Sequence, residues 1–290
     1  MSKKDIKLNI AEIDEIKTLA DGVRRIFGVH RNAPIAGDIK KLIEKRDILI
    51  CEYPFSDYKE SKTYAYLTVI TIDRDEYYYI GLNTSIRYDK QLFALAHELY
   101  HINTKTGLAY SFDADKEDER IEKKADRFAA ELLLPEEELK HLVVTEYGKD
   151  SIDNDLNNRL LRFIATLQCE WWLPYKAIVN RLFEENYITT KLYEELYAVD
   201  SRDENGLYYT ILKALDENVA VLLNRKTKNI GISNKAIECV IKNYEDDYID
   251  DDEFAEVLAL YNKTPEDYGF SLLDNTEVDE DLADFVDGGN

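Results

Sequence analysis

The chain has few cysteines for its length and far fewer basic than acidic residues, and it lacks a long apolar run. Its 290 residues contain three cysteines, Cys51, Cys169 and Cys239, whose scattered positions form neither a metal-binding pattern nor an obvious disulfide set. No apolar run approaches the length of a membrane span, and the first residues lack the apolar segment of a signal peptide. These absences argue against a disulfide-rich secreted domain and a membrane protein, and they lead us to expect a cytoplasmic protein.

Positive charge is scarce, because 37 lysines and arginines face 59 acids and give a formal net charge of −22 at pH 7. Affinity for nucleic acid depends on cations that neutralise phosphates, so we expect no direct nucleic-acid binding. Eight acids and no base lie between Glu245 and Glu256, and seven more follow from Asp274 to the end. We expect a solvated, mobile acidic tail, and the alternative is an acidic docking arm for a basic, DNA-binding substrate.

Two of the four histidines fall in one motif. His97, Glu98 and His101 form H-E-x-x-H inside an apolar helical run at 91–102. Positions i and i+4 of a helix share a face, so both imidazoles can bind one metal ion, whereas Glu98 is rotated roughly 100° away. Zinc lowers the pKa of bound water to ~7, and a carboxylate in this position can serve as the base. The motif predicts zinc-dependent peptide hydrolysis; the alternative is a solvated helix with two incidental histidines.

A catalytic zinc needs a third protein ligand, and Glu122 is the best candidate downstream. It lies in the segment 118–135, where apolar residues recur at helical spacing until Pro135 ends the helix. Asp126 follows one turn later on the same face, where its carboxylate can accept the free ring N–H of a ligating histidine. The alternative is that both acids pair with basic neighbours on a solvated helix face.

These two helices resemble those of a known family. F-A-L-A-H-E-L-Y-H-I at 93–102, followed by E-x-x-A-D-R-F-A-A-E-L-L-L-P at 122–135, resembles the ImmA/IrrE metallopeptidases. The similarity covers about the first half of the chain. It implies Glu98 as the catalytic acid and base, in agreement with the spacing, and it implies three zinc ligands: His97, His101 and Glu122.

The chain departs from the family pattern at two positions. Tyr100 replaces the usual glycine and Lys124 replaces an acid found in many members, which predicts a narrower or differently charged cleft. Asp126 stands where asparagine is common and fits the wider gluzincin pattern E-x-x-x-D. The sequence does not identify a residue that would stabilise the oxyanion. Tyr100 and His141 are candidates, but by residue type alone.

The resemblance also implies a substrate class. Many ImmA/IrrE peptidases inactivate a helix-turn-helix repressor of a phage, mobile element or stress response by one cut. We therefore expect a zinc-dependent, site-specific endopeptidase whose protein substrate is a basic DNA-binding regulator. The alternative function is a non-catalytic binding module, an antitoxin or anti-repressor, whose metal is structural or absent. Glu98 argues against that alternative, because a binding module has no need of a general base.

The patterns predict an α+β fold: a zincin-like domain at 1–145 with a small β-sheet and active-site helices, then mostly helical chain. Helices are expected at 11–27 and 38–46, and strands at 48–53, 63–72 and 76–83, the last two forming a hairpin. An edge strand beside the cleft can pair with an extended substrate, and the tyrosines at 77–79 are candidates to line it. The alternative for these tyrosines is an alternating face with one of them buried.

Two further regions are predicted to be helical. The region 146–200 resembles the helix-turn-helix-like extension of the family, with Trp171, Trp172 and Pro174 at its turn. We favour a plain helical hairpin that completes the core over a substrate-docking element. The region 201–290 is predicted to be a helical accessory region that ends in the acidic tail.

Overall fold

A computed structural model describes residues 7–55, 63–106, 116–153 and 155–271. Its contacts divide the chain into two compact units, Met1–Ile230 and Gly231–Asn290. The α+β fold is confirmed, while the predicted boundaries at 145 and 200 stay predictions. The acidic stretch from Asp274 lies outside the described residues. Within the described ranges, no helix combines the length and the apolar character that crossing a membrane would need.

The described part of the first unit contains ten α-helices and three β-strands. In chain order they are α1 (Ile10–Ile26), α2 (Ile39–Glu44), β1 (Leu49–Tyr53), β2 (Ala65–Ile72), β3 (Asp75–Asn83), α3 (Tyr88–Thr104), α4 (Lys116–Leu133), α5 (Glu136–Tyr147), α6 (Asn158–Trp171), α7 (Tyr175–Glu184), α8 (Thr190–Tyr197), α9 (Leu207–Leu215) and α10 (Glu217–Asn224).

The sheet of the first unit has β3 between its two partners. β3 pairs antiparallel with β2, which confirms the predicted hairpin, and parallel with β1, with Tyr79 opposite both Thr68 and Leu49. β2 forms one edge of the sheet. Tyr79 is paired on both sides, whereas Tyr77 and Tyr78 pair with β2 alone, because β1 begins opposite Tyr79. All three lie on β3, which is not an edge strand of the sheet, so the expectation that they line the substrate edge is wrong. That edge belongs to β2.

The helices α3 and α4 form the centre of the first unit. α3 packs against β2 and β3, and α4 packs against α3 and α1. The apolar faces of both helices are fully removed from solvent, at 1% exposure or less, through Leu92, Leu95, Ala96, Leu99, Ala125, Phe128, Ala129 and Leu132. This packing fixes the orientation of α3 relative to α4. The predicted metal ligands lie on the parts of the two helices that are outside these apolar faces.

The helices α6 and α7 form the hairpin predicted around residue 172. The side chain of Asn157 accepts a hydrogen bond from Leu160 N at 2.9 Å and begins α6, and Trp172 ends it in a left-handed conformation with φ 55°. Leu160, Ile164, Ile178 and Leu182 are fully buried. This burial supports the interpretation of the pair as a hairpin that completes the core.

The second unit contains a short strand, β4 (Gly231–Ile232), and the helices α11 (Asn234–Glu245) and α12 (Asp251–Ala259). Its small core centres on Phe254, which stacks on Tyr244 with ring centroids 4.2 Å apart. The side chains of Asp250 and Glu253 cap each other's backbone N–H groups and begin α12. Acids in a first helical turn interact favourably with the helix dipole. Of the acids at 245–256, Glu245 ends α11, and those from Asp250 onward cap or lie in α12. This stretch is therefore largely helical and is not the mobile tail that we predicted.

Arg24 connects α1 to the end of α4 in the interior. Its guanidinium is 1% exposed and donates to the carbonyl oxygens of Leu132 and His30, both at 2.6 Å. Burial lowers the pKa of Arg24 to about 10, against the opposing effect of Asp21 and Glu131. The group therefore remains a cation at neutral pH and satisfies the carbonyl oxygen of Leu132 in a buried hydrogen bond.

Replacing Arg24 with alanine should lower the free energy of unfolding of this unit by about 3 kcal/mol, because buried carbonyls lose their donor. Both tryptophans lie in this unit, so their fluorescence during urea unfolding measures the change. The exposed neighbour Arg25 is the matched control, and Arg25→Ala should change the value by no more than about 0.5 kcal/mol. Equal losses in both variants would contradict the role assigned to Arg24.

Candidate metal centre

The start of α3 is held by the chain that follows α10. The backbone N–H of Tyr88 donates to Arg225 O at 2.9 Å, and the side-chain amide of Gln91 donates to Thr227 Oγ1 at 3.1 Å. Asp89 is fully buried and forms an ion pair with Arg202. These contacts fix the first turn of α3, and the helix then sets the direction of the side chains two turns further on.

Three side chains from α3 and α4 converge at one point. The Nε2 atoms of His97 and His101 lie 3.2 Å apart. The carboxylate of Glu122 lies 3.2 Å from His97 Nε2 and 3.4 Å from His101 Nε2. The structure thus brings together the three residues that the sequence analysis predicted as ligands.

These spacings fit a tetrahedral zinc site. A tetrahedron with zinc bonds of about 2.0–2.1 Å to nitrogen and oxygen has donor atoms about 3.3–3.4 Å apart. The 3.2 Å between the two nitrogens is close to that value, as are the 3.2 and 3.4 Å that separate them from Oε2 and Oε1 of Glu122, respectively. Two imidazoles and one carboxylate are also the donor set found in one group of catalytic zinc sites. The residues present therefore fit zinc.

A second group of possible donors among the described residues consists of Glu131, Glu136 and Glu185. These carboxylates already have cationic partners. Glu131 and Glu185 accept hydrogen bonds from Arg181 at 2.8 and 2.9 Å, and Glu136 pairs with Lys17. A cation inside this group would have to displace an arginine that is fully buried. We assign this cluster to the packing of α7 on α4.

Glu98 lies beside the three converging side chains and is 8% exposed. It lines a cleft of about 390 Å³ together with His97, Glu122, Asp126 and the segment 63–65. Burial raises the pKa of Glu98 to about 7, with an opposing contribution from His97 and a smaller reinforcing one from Glu122. A carboxyl group with such a pKa can both accept and return a proton near neutral pH.

Asp126 contacts the first histidine on the side away from Glu122. Its Oδ1 lies 3.0 Å from His97 Nδ1. An N–H on Nδ1 that donates to this carboxylate leaves Nε2 free to bind a metal. Burial alone would lower the pKa of His97, but the hydrogen bonds to Asp126 and Glu122 outweigh it and raise the pKa to about 10. The metal-free site therefore holds a proton on this imidazole at neutral pH.

His101 is 3% exposed, and burial together with the neighbouring His97 lowers its pKa below the ordinary histidine value. Thr106 Oγ1 lies 3.5 Å from its Nδ1, a long contact for a hydrogen bond. The sequence analysis did not identify Thr106. It follows Lys105, the left-handed residue directly after α3, and no local pattern places it near His101.

The residues that depart from the family pattern lie outside the cleft lining. Tyr100 is 7% exposed and packs on Phe128 with ring centroids 5.7 Å apart, so among the described residues it does not narrow the cleft. Lys124 lies 3.1 Å from Glu12 of α1, which compensates its charge. His141 lies on the exposed side of α5. The ring of Tyr100 also lies edge-on to that of His101, with ring centroids 5.7 Å apart, but neither Tyr100 nor His141 lines the cleft.

A small mixed sheet beside two helices that present two histidines and a glutamate defines a zincin-like α+β domain. Residues 43–183 match the family model of the IrrE N-terminal-like domain, Peptidase_M78. This part of the chain is therefore a domain of that family, which confirms the resemblance seen in the sequence, and the family implies a metallopeptidase.

The structure is similar to that of a Mycobacterium tuberculosis transcriptional regulator, with 15% sequence identity and a TM-score of 0.38. The similarity covers 58% of this chain and 46% of the other, so the match spans less than half of that protein. No curated protein matches the sequence significantly.

Proposed function

We propose that the chain is a zinc-dependent, site-specific endopeptidase that cleaves a regulatory protein. The observation that carries this proposal is the convergence of His97, His101 and Glu122 at 3.2–3.4 Å, with Glu98 in the same cleft. His97, His101 and Glu122 would hold the zinc, which would supply a Lewis acid for the scissile carbonyl and for the attacking water.

The protein's own residues move the proton. Glu98 takes a proton from the attacking water and passes it to the leaving amine, which balances the two steps of hydrolysis. Asp126 holds His97 in the tautomer that keeps Nε2 available. Since Glu98 is nearly buried, bulk water does not compete for its proton.

The edge of β2 supports an extended substrate. Tyr64 and Ala65, at the start of this strand, line the cleft opposite the α3 side chains. A peptide that adds to the edge gains backbone hydrogen bonds along its length, and its side chains alternate between the two faces. One peptide bond then lies over Glu98. This mode of binding suits a segment that is extended, or locally unfolded, in the client.

The substrate class follows from the family resemblance and the charge. A helix-turn-helix repressor of a phage, mobile element or stress response is a basic protein, and this chain carries a net charge of −22. Charge attraction of this kind accelerates the encounter of the two proteins. The alternative, a non-catalytic antitoxin or anti-repressor, gives no reason for a carboxylate at position 98.

The new N-termini that form in a cell lysate test this proposal. The zinc-loaded chain is added to a lysate of cells that lack it, and new protein N-termini are identified by mass spectrometry. We expect one or a few new termini, within a DNA-binding regulator, and none after chelator treatment. Many termini in unrelated proteins would contradict site-specific cleavage. If the lysate contained the same N-termini with and without the chain, peptidase activity would be contradicted.

Replacing Asp126 with alanine should accelerate zinc dissociation about 10- to 100-fold, because His97 loses the partner that orients its ring. A chelator chase measures this rate, which depends on the zinc-bound state alone. Glu119→Gln, at an exposed acid of the same helix, is the matched control and should leave the rate unchanged. The role of Asp126 is refuted by equal rates in all three proteins.

A further inference from the structure

A second pocket opens from the wall of the catalytic cleft. It has a volume of about 250 Å³ and lies between α3, α4 and α7. Tyr64, Phe93 and Asp126 line both cavities. Because the two share a wall, a substrate side chain next to the bond over Glu98 can enter this pocket. We call it the side pocket.

The wall and base of the side pocket contain little uncompensated charge. Ala130, Pro174 and Ala177 contribute apolar surface. Arg127 of α4 and Arg181 of α7 are 4% and 0% exposed, and each forms an ion pair with an acid of the other helix. Arg127 Nη1 donates to Glu184 at 2.6 Å, and Arg181 Nη2 donates to Glu131 at 2.8 Å.

The side chains of two lysines at the side pocket, unlike those of the two arginines, contact aromatic rings and no acid of the described residues. Lys90 lies with its Nζ 5.2 Å from the ring centroid of Tyr64 and 3.5 Å from its hydroxyl oxygen. Lys176 lies with its Nζ 4.1 Å from the ring centroid of Tyr197. In the described ranges of the chain, neither lysine forms a salt bridge with a carboxylate.

These two lysines pair with aromatic rings and not with carboxylates of the described chain, although the sequence has 22 more acids than bases. Cation–π contacts leave most donor positions of an ammonium group free. The remaining acid at the boundary of the pocket, Asp126, already interacts with His97. The side pocket thus presents two cations, an apolar wall and room for one side chain.

We propose that the side pocket selects an aspartate or glutamate next to the scissile bond, with Lys90 and Lys176 as the residues that determine this specificity. The inference rests on the proposed peptidase function, since it concerns the same cleft. The aliphatic part of the acidic side chain lies against Ala130 and Ala177, and its carboxylate lies between the two ammonium groups. A basic side chain at that position would meet two like charges.

Binding of three peptide hydroxamates to the zinc-loaded chain tests this. They differ in one side chain next to the metal-binding group, which is that of glutamate, leucine or lysine. We expect the glutamate compound to bind about tenfold more tightly than the lysine compound. The double variant Lys90→Glu/Lys176→Glu should reverse that order. The control variant Lys41→Glu/Lys191→Glu, whose lysines are 79% and 86% exposed, has the same net charge and should keep it.

If the zinc-loaded chain bound the three compounds with equal affinity, or bound none of them, the proposed specificity of the side pocket would be wrong. The metal site would not be affected by that result. A chain that takes up no zinc would instead overturn the proposed function. In that case lysine acetylation of the metal-free chain tests the pocket separately. A hexapeptide amide with one central glutamate should slow acetylation of Lys90 and Lys176 relative to Lys41 and Lys191, and its lysine counterpart should not. Equal protection by both peptides would overturn the proposal.

Discussion

Replacing Glu98 with glutamine should reduce cleavage of the client protein at least 100-fold while leaving zinc bound. Glutamine has nearly the same shape as glutamate but cannot accept a proton from water, and general base catalysis contributes about 10²- to 10⁴-fold to such a reaction. The expected loss lies in kcat, because no contact that holds the substrate is removed. Initial rates on the client, with zinc content measured on the same samples, give the result.

A matched substitution separates loss of the base from general damage. Glu131→Gln also alters a buried acid but lies outside the cleft lining, so it should affect stability more than the rate of the folded, zinc-loaded fraction. If Glu98→Gln cleaved the client at the wild-type rate, the base would have to be another group. If its biological effect were also unchanged, the binding module would be favoured.

Zinc affinity should rise close to tenfold between pH 8 and pH 9. Asp126 and Glu122 raise the pKa of His97 to about 10 in the metal-free chain, so zinc must displace a proton from this imidazole throughout that range. An ordinary histidine is already neutral there and would give no such dependence. The pKa of His101 is lowered, so it adds proton competition only at lower pH. Competition with a chromophoric chelator of known pH dependence measures the affinity.

The cause of this pH dependence can be tested by removing the carboxylate partner. In Asp126→Asn the hydrogen bond that raises the pKa of His97 is weakened, so the change between pH 8 and pH 9 should become smaller. The exposed His141 serves as the control, and His141→Ala should retain the wild-type dependence. An affinity that is constant from pH 8 to pH 9 in the wild type would contradict the protonated state assigned to His97.

The sequence predicted most helices and strands of the first unit to within one to three residues. The helix expected at 11–27 is observed at Ile10–Ile26, and the strand expected at 76–83 is observed at Asp75–Asn83. These elements have strong apolar periodicity and clear end signals, as at Asn9, whose side chain caps α1. The parallel pairing of β1 with β3 was not predicted, because it joins strands separated by the hairpin partner β2.

The candidate ligands were predictable from the sequence because they lie within two helices, whereas the side pocket was not, because it is formed by residues from several elements. His97, His101, Glu122 and Asp126 are related by helical spacing within two helices, which sequence alone reveals. Tyr64, Lys90 and Lys176 come from the start of β2, from α3 and from α7, and only the tertiary packing of α4 between α3 and α7 brings them together. The prediction for Tyr100 failed for the same reason, since packing on Phe128 turns its ring into the core.

Metal content tests the central claim most directly. The chain is purified without chelator or added metal, and elemental analysis compares the wild type with His97→Ala and Glu122→Ala. We expect about one zinc per wild-type chain, and little or none in either variant, because each loses one of three protein ligands. A wild-type chain that contains no zinc and takes up none when it is added, or variants that keep a full equivalent, would contradict the site formed by His97, His101 and Glu122.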